Sequence, residues 1–136
     1  MAASVLWALT GNAGQRAITA WNLGWGPAVA ASHGEAWIDP VLAVLLEDPY
    51  PAVRMVAARA LQQRTGQQDL EYNYVGEAPG ERRSAIDQAL TTWRKRKRKK
   101  LDHGEAVLVD ADGQSQQERI KQLLGQRDDR PFKVLE

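Results

Sequence analysis

The chain has 136 residues, 43% of them apolar and 26% charged, with a formal net charge of +1. That length suits one compact domain or a section of a longer array, and the near-neutral balance selects no partner by bulk charge. The absence of cysteine excludes disulfides, thiolate zinc sites, c-type haem attachment and cysteine nucleophiles, and no apolar run approaches the roughly 20 residues of a membrane span.

Residues 3–10 read as a short apolar helix with Val5, Leu6 and Trp7, punctuated by "GNAG" at 11–14. A second helix is predicted over about 14–24, where Ile18, Trp21 and Trp25 recur at three- and four-residue steps. Gly24 and Gly26 break that pattern, Pro27 can open a short helix, and His33-Gly34 reads as a loop. "AWIDPVLAVLLE" (36–47) predicts a strongly apolar helix with Asp39 as cap, Pro40 in the first turn and a stripe of Leu42, Leu45 and Leu46. "DPYP" (48–51) ends it, because proline interrupts the backbone ladder. Pro51 also suits the first turn of the next helix, about 51–64, with Val53, Val56, Ala57, Ala60 and Leu61 on one side.

The grammar then changes. Residues 65–81 are polar and rich in turn formers, and the alternation in "LEYNYV" has no evident strand partner. A helix over 81–100 carries Ala85, Ile86, Ala89, Leu90 and Trp93 as its apolar face. Residues 101–114 suggest a short extended piece with turns, and a helix over 115–125 places Ile120, Leu123 and Leu124 together. The tail "RDDRPFKVLE" is expected to run extended, against the body through Phe132, Val134 and Leu135, or to lie loose.

The second and fifth segments echo one another at an offset of 38 residues: Arg16 falls on Arg54, Ile18 on Val56, Ala20 on Ala58 and Leu23 on Leu61. The preceding helices also correspond, 3–10 against 41–48. Such a period fits a two-helix stacking unit. "LAVLLEDPYPAVRMVAARAL" (42–61) resembles a HEAT repeat: a leucine-rich first helix, an Asp-Pro turn at Asp48-Pro49, then Val53-Arg54 and small residues at 57, 58 and 60 before Leu61. The likeness is weaker over 3–24, where Thr10 and Asn12-Ala13 replace the turn residues, and it stops near residue 65.

The resemblance implies an all-α fold, an α-α superhelix with two HEAT-like repeats in 1–65 and capping helices with an extended tail in 66–136. It also implies that an arginine at the position of Arg54 bonds to a neighbouring unit's turn, with Arg16 as its stacked counterpart. Independently of the family, small residues allow close helix approach, and Asp48 is placed to accept from N–H groups at the start of the next helix. The opening "MAASVLWALTG" reads as a helix entered partway, so a fragment of a larger protein is expected. The order of helical pair, "YNYVG", basic helix and "DRP" tail is similar to the C-terminal part of large bacterial proteins that join helical repeats to multihaem cytochrome modules. No haem motif lies in this segment, so electron transfer is not assigned. No compartment follows: the default is cytoplasmic, and periplasmic if the parent is a cytochrome fusion.

Charge is unevenly spread. Residues 1–78 sum to −3 and residues 79–136 to +4, and seven cations run consecutively as Arg94, Lys95, Arg96, Lys97, Arg98, Lys99 and Lys100. This run suits phosphate or another anionic surface, and it suits better a solvated helix C-terminus, where cations favour the macrodipole. Seven consecutive helical residues point all round and make no clean groove. Among the tryptophans at 7, 21, 25, 37 and 93, Trp21 and Trp37 are expected in the core and Trp25, between glycines, at the surface. His33 and His103 lie near carboxylates, yet "DHGE" (102–105) and "DADG" (110–113) match neither zinc spacing nor a calcium loop. No nucleophile–base pattern appears. Some HEAT-like proteins act on damaged bases or attach chromophores, and no motif here carries either activity over. The expectation is a non-catalytic scaffold without cofactor or metal, docking a protein partner or other modules of its parent through Trp25, Tyr50 and Arg54; the alternative is nucleic-acid binding through 94–100.

Overall fold

The computed structural model describes residues 2–32, 37–66, 72–76, 79–95, 108 and 115–131. These residues form helices α1 (Ala3–Thr10), α2 (Ala13–Gly24), α3 (Gly26–Ala30), α4 (Ile38–Leu45), α5 (Pro51–Thr65), α6 (Pro79–Lys95) and α7 (Gln117–Leu124), with no strand among them. The chain is all-α over its described part.

Local chemistry sets the boundaries. Between α1 and α2, Asn12 accepts from the Gln15 N–H at 3.0 Å while the Gln15 side chain accepts from the Asn12 N–H at 2.9 Å. This reciprocal cap satisfies two N–H groups that a helix start leaves open, so the turn needs neither aspartate nor proline. Pro51 opens α5, and Gly66 closes it at φ 66°, a left-handed position that glycine occupies without a Cβ penalty.

Two expectations about α4 are corrected. Asp39 does not cap it: Trp37 is the N-cap, and Asp39 lies buried in the first turn, paired with Arg64 at 2.6 Å. Nor does α1 align with residues 41–48, because α4 stops at Leu45. The α1–α2 connection is residues 11–12, whereas the α4–α5 connection is 46–50. Pro49 disfavours helical backbone at the residue before it, and the longer turn leaves Asp48 outside either helix. The 38-residue echo therefore holds for α2 against α5, which start at 13 and 51, and not for the helices before them.

The α2–α5 interface is the most extensive, and α1 packs on both α2 and α4. A Cβ at Gly24 would lie 2.8 Å from both the Cα and the Cβ of Ala60, so the two helices cross at a glycine with no room for a methyl group. Buried Ala57 and Ala60 on α5, and Ala13 and Ala20 on α2, keep this approach close. Val5, Leu9, Ile38, Leu42, Leu45 and Leu61 fill the centre of the core. Helix α6 covers α4 and contributes Ala85 and Ala89, with Trp93 also buried on the same stripe; α7 packs on α1 and contributes Ile120 and Leu123. Residues from both halves of the chain thus join one core.

Trp21 overturns its expected place. It is 60% exposed, and Ile18 beside it is 61% exposed, because the side of α2 that faces the core carries Arg16, Thr19, Ala20 and Leu23 instead. Trp37 is buried as expected.

Candidate functional site

Asp48 and Arg16 organise the edge where the two helical connections lie. Arg16 is fully buried. Its Nε donates to Asp48 Oδ2 at 2.6 Å and its Nη2 to Asp48 Oδ1 at 3.1 Å, a two-pronged pairing that suits a planar guanidinium. Its Nη1 donates to the Gly11 carbonyl at 2.6 Å and to the Asp128 carbonyl at 3.0 Å. Asp129 Oδ1 lies 3.3 Å from Nη2, and the Tyr50 ring centroid is 5.7 Å from the guanidinium carbon. Asp48 Oδ1 also accepts from the Tyr50 N–H at 2.9 Å, as its place before α5 predicts. An arginine of the first helical pair is thus locked to the turn of the second.

Arg54, its counterpart 38 residues on, meets main-chain oxygens. Nη1 donates to the carbonyls of Asp48 at 2.7 Å and Pro49 at 3.0 Å, and Nε to that of Tyr74 at 2.8 Å. Nearby, the Tyr72 hydroxyl donates to the Leu46 carbonyl. Burial pushes the Tyr72 phenol above its ordinary value, with Arg54 and Arg82 pulling the other way.

The segment 127–131 runs across this edge. The Asp128 N–H donates to the Thr10 carbonyl at 3.0 Å, and the Tyr50 hydroxyl donates to the Arg130 carbonyl at 3.2 Å. Arg130 donates to both Asp128 oxygens through its side chain, at 2.8 and 2.7 Å. Those bonds hold the Asp128 carboxyl down at about 2, against an ordinary 3.8. Arg127 Nε likewise reaches both oxygens of Asp129, at 2.8 and 3.0 Å. The tail does lie on the body, but its described contacts are polar; Phe132, Val134 and Leu135 lie outside the described residues.

A second feature is the outer side of α2. Ile18, Trp21 and Trp25 are 61%, 60% and 51% exposed, and the indoles of Trp21 and Trp25 stack with centroids 5.9 Å apart at 21°. Three large apolar side chains at helical spacing, two of them stacked, make one exposed apolar face. A cleft of about 380 Å³ also opens between α4, α6 and α7, with Ile86, Leu90 and Leu124 in its walls and Glu47, Glu118 and Lys121 among its lining.

The three residues expected to dock a partner differ in availability. Trp25 is exposed, Tyr50 is half-buried beneath the tail, and Arg54, at 3% exposure, is spent on carbonyls. Of the basic run, Arg94 and Lys95 are exposed at the end of α6, and residues 96–100 lie outside the described residues, as do His33, His103, "DHGE" and "DADG". Among the described residues no three metal-ligating side chains converge, and no helix is long and apolar enough to cross a membrane. The 127–131 segment had a signal in the sequence: "RDDR" places each arginine two residues from an aspartate of opposite charge.

Compared with known proteins, the chain matches no family model, no curated protein and no solved structure.

Proposed function

We propose that the chain is a non-catalytic, HEAT-like helical-repeat section of a larger protein, and that it works as a scaffold by presenting the outer side of α2 to a protein partner. The observation that carries the docking part is the stacked Trp21–Trp25 pair with Ile18 beside it. Tryptophan supplies a large contact area at low entropy cost and dominates binding hot spots. The repeat part draws support from the 38-residue echo of α2 in α5, the close α2–α5 crossing at Gly24 and Ala60, and the Arg16–Asp48 link between pairs. On this reading residues 1–65 are two stacking units, and α6, α7 and the tail cap them.

The test is the double variant W21S/W25S. Neither side chain contributes to the core, so its circular dichroism is expected to match the parent. Affinity for a purified partner, identified by co-purification with the parent chain, is expected to fall by more than about tenfold, the scale of a hot-spot loss. Unchanged affinity in the folded variant would remove the α2 face from the mechanism.

A further inference from the structure

The contacts made by residues 127–131 have the form of a bound peptide. One N–H, two carbonyls and one carboxylate of that segment are received by Thr10, Arg16 and Tyr50. We propose that this edge is a docking site for an extended peptide segment that brings one aspartate to Arg16, kept closed in cis by the chain's own residues 127–131. The inference rests on reading the chain as an interaction module and adds a second surface, away from the α2 tryptophans, with the chemistry of its partner.

Arg16 is the fixed half of the site. Asp48 and the Gly11 carbonyl hold it from the protein side, so its orientation does not depend on the tail. With the tail lifted, Nη1 loses the Asp128 carbonyl and Nη2 loses the Asp129 carboxylate. Water can meet these two donors once the tail is lifted, so a strand competes for the edge only if it returns a carbonyl and, one residue later, a carboxylate; a bond from a guanidinium to a carboxylate is the stronger of the two. Tyr50 adds a second reading point two residues along, at the position of the Arg130 carbonyl.

The other half is built to come away. Residues 127 and 128 are half-buried and residues 129, 130 and 131 exposed, and none of the five inserts an apolar side chain into the core. Few buried contacts and solvent-facing hydrogen bonds mark segments that open below the free energy of global unfolding. The Arg127–Asp129 and Arg130–Asp128 pairs stay within the segment and shape it without tying it to the body. Specificity therefore sits in backbone spacing and in the one carboxylate that reaches Arg16, that of Asp129.

The experiment uses the full chain and a dye-labelled peptide, GQRDDRP, copied from residues 125–131. Fluorescence anisotropy at low salt compares the parent with D128P/D129G/R130G, which removes the N–H given to Thr10 and the carboxylate at Arg16, loosens the backbone that offers the two carbonyls, and leaves Thr10, Arg16 and Tyr50 intact. The cleared protein is expected to bind the peptide at least about tenfold more tightly than the parent, whose own tail competes at high effective concentration. A peptide with Ala at the position of Asp129 is expected to lose about tenfold or more. Equal affinity for the two proteins, equal affinity of the two peptides, or no binding by a cleared protein of parental circular dichroism would each overturn the proposal.

Should the cleared protein fail to fold, hydrogen exchange on the parent decides. The Asp128 amide exchanging about a hundredfold or more faster than the Ala57 amide supports a tail that opens by itself, and exchange of both at one rate overturns it. W21S/W25S is expected to keep peptide binding, so failure of the α2 face and failure of this edge read out separately.

Discussion

A guanidinium without access to water needs an acceptor for each N–H it can turn, and Arg16 finds them in three parts of the chain: Gly11, Asp48 and residues 128–129. Removing one partner of such a pair strands the other in a low-dielectric site. Asp48→Ala is therefore expected to destabilise the protein by about 3–5 kcal/mol in denaturant titration. Combining it with Arg16→Met is expected to recover much of that loss, since an apolar pair of similar volume leaves no stranded charge. A double variant at the sum of the two single losses would show that the two side chains are not coupled. Part of this was legible in advance: the offset of 38 made Arg16 and Arg54 counterparts, and Asp48 stood where a turn carboxylate is useful. The bond from Arg16 to Asp128 spans 112 residues, and no periodicity encodes a contact at that separation.

At the scale of the helix, the packing of α2 reverses a common assumption. The core side of this helix carries small residues along with Leu23 and the buried Arg16, and two of its largest apolar residues, Ile18 and Trp21, point outward. Helical periodicity reports that a stripe exists and not which stripe is buried. The choice was made by the partner: α5 approaches so closely at Ala60 that only glycine fits at position 24. Gly24→Ala tests this sharply, because two effects oppose. Intrinsic helix propensity favours alanine by at most about 1 kcal/mol, and less at the last residue of a helix, where Gly24 sits. The added methyl would meet Ala60 backbone at 2.8 Å, which no rotamer change relieves, and overpacking typically costs about 1–3 kcal/mol. A net loss of stability is expected, read from the denaturation midpoint, with Ala60→Gly in the same chain restoring part of it. A stabilised single variant would show that the helices separate freely there. Helix positions themselves were largely legible, because Gly, Pro and Asn mark their ends; α4 ran shorter than its apolar stripe suggested, since Leu46 is buried from the turn rather than from the helix.

For the molecule as a whole, the last described segment meets both turns mainly through its main chain, and the Asp128–Arg130 pair shapes the segment that offers those groups, so acid should loosen it from within. Asp128 is held at about 2, below its ordinary 3.8, chiefly by the Arg130 side chain. A carboxyl lowered by folding contributes stability above 3.8 that is lost as pH falls through about 2. The Arg130 and Arg16 guanidiniums facing this carboxyl stay charged throughout, so the carboxyl sets that window. The Asp128 carboxyl carbon is expected to titrate with a midpoint near 2 in NMR, and the Asp128 amide to lose protection over the same range. A midpoint at 3.8 would place Arg130 away from it in solution.

The Arg16–Asp48 link has a direction: the first helical pair supplies the cation and the second the carboxylate. A head-to-tail contact of this kind, repeated between separate molecules, makes open filaments unless something closes it. The cation that the second pair would offer onward is Arg54, and its donors already rest on the carbonyls of Asp48, Pro49 and Tyr74. Arg54 is thus committed within its own chain, and the bonding that joins the two pairs is not offered onward by that arginine.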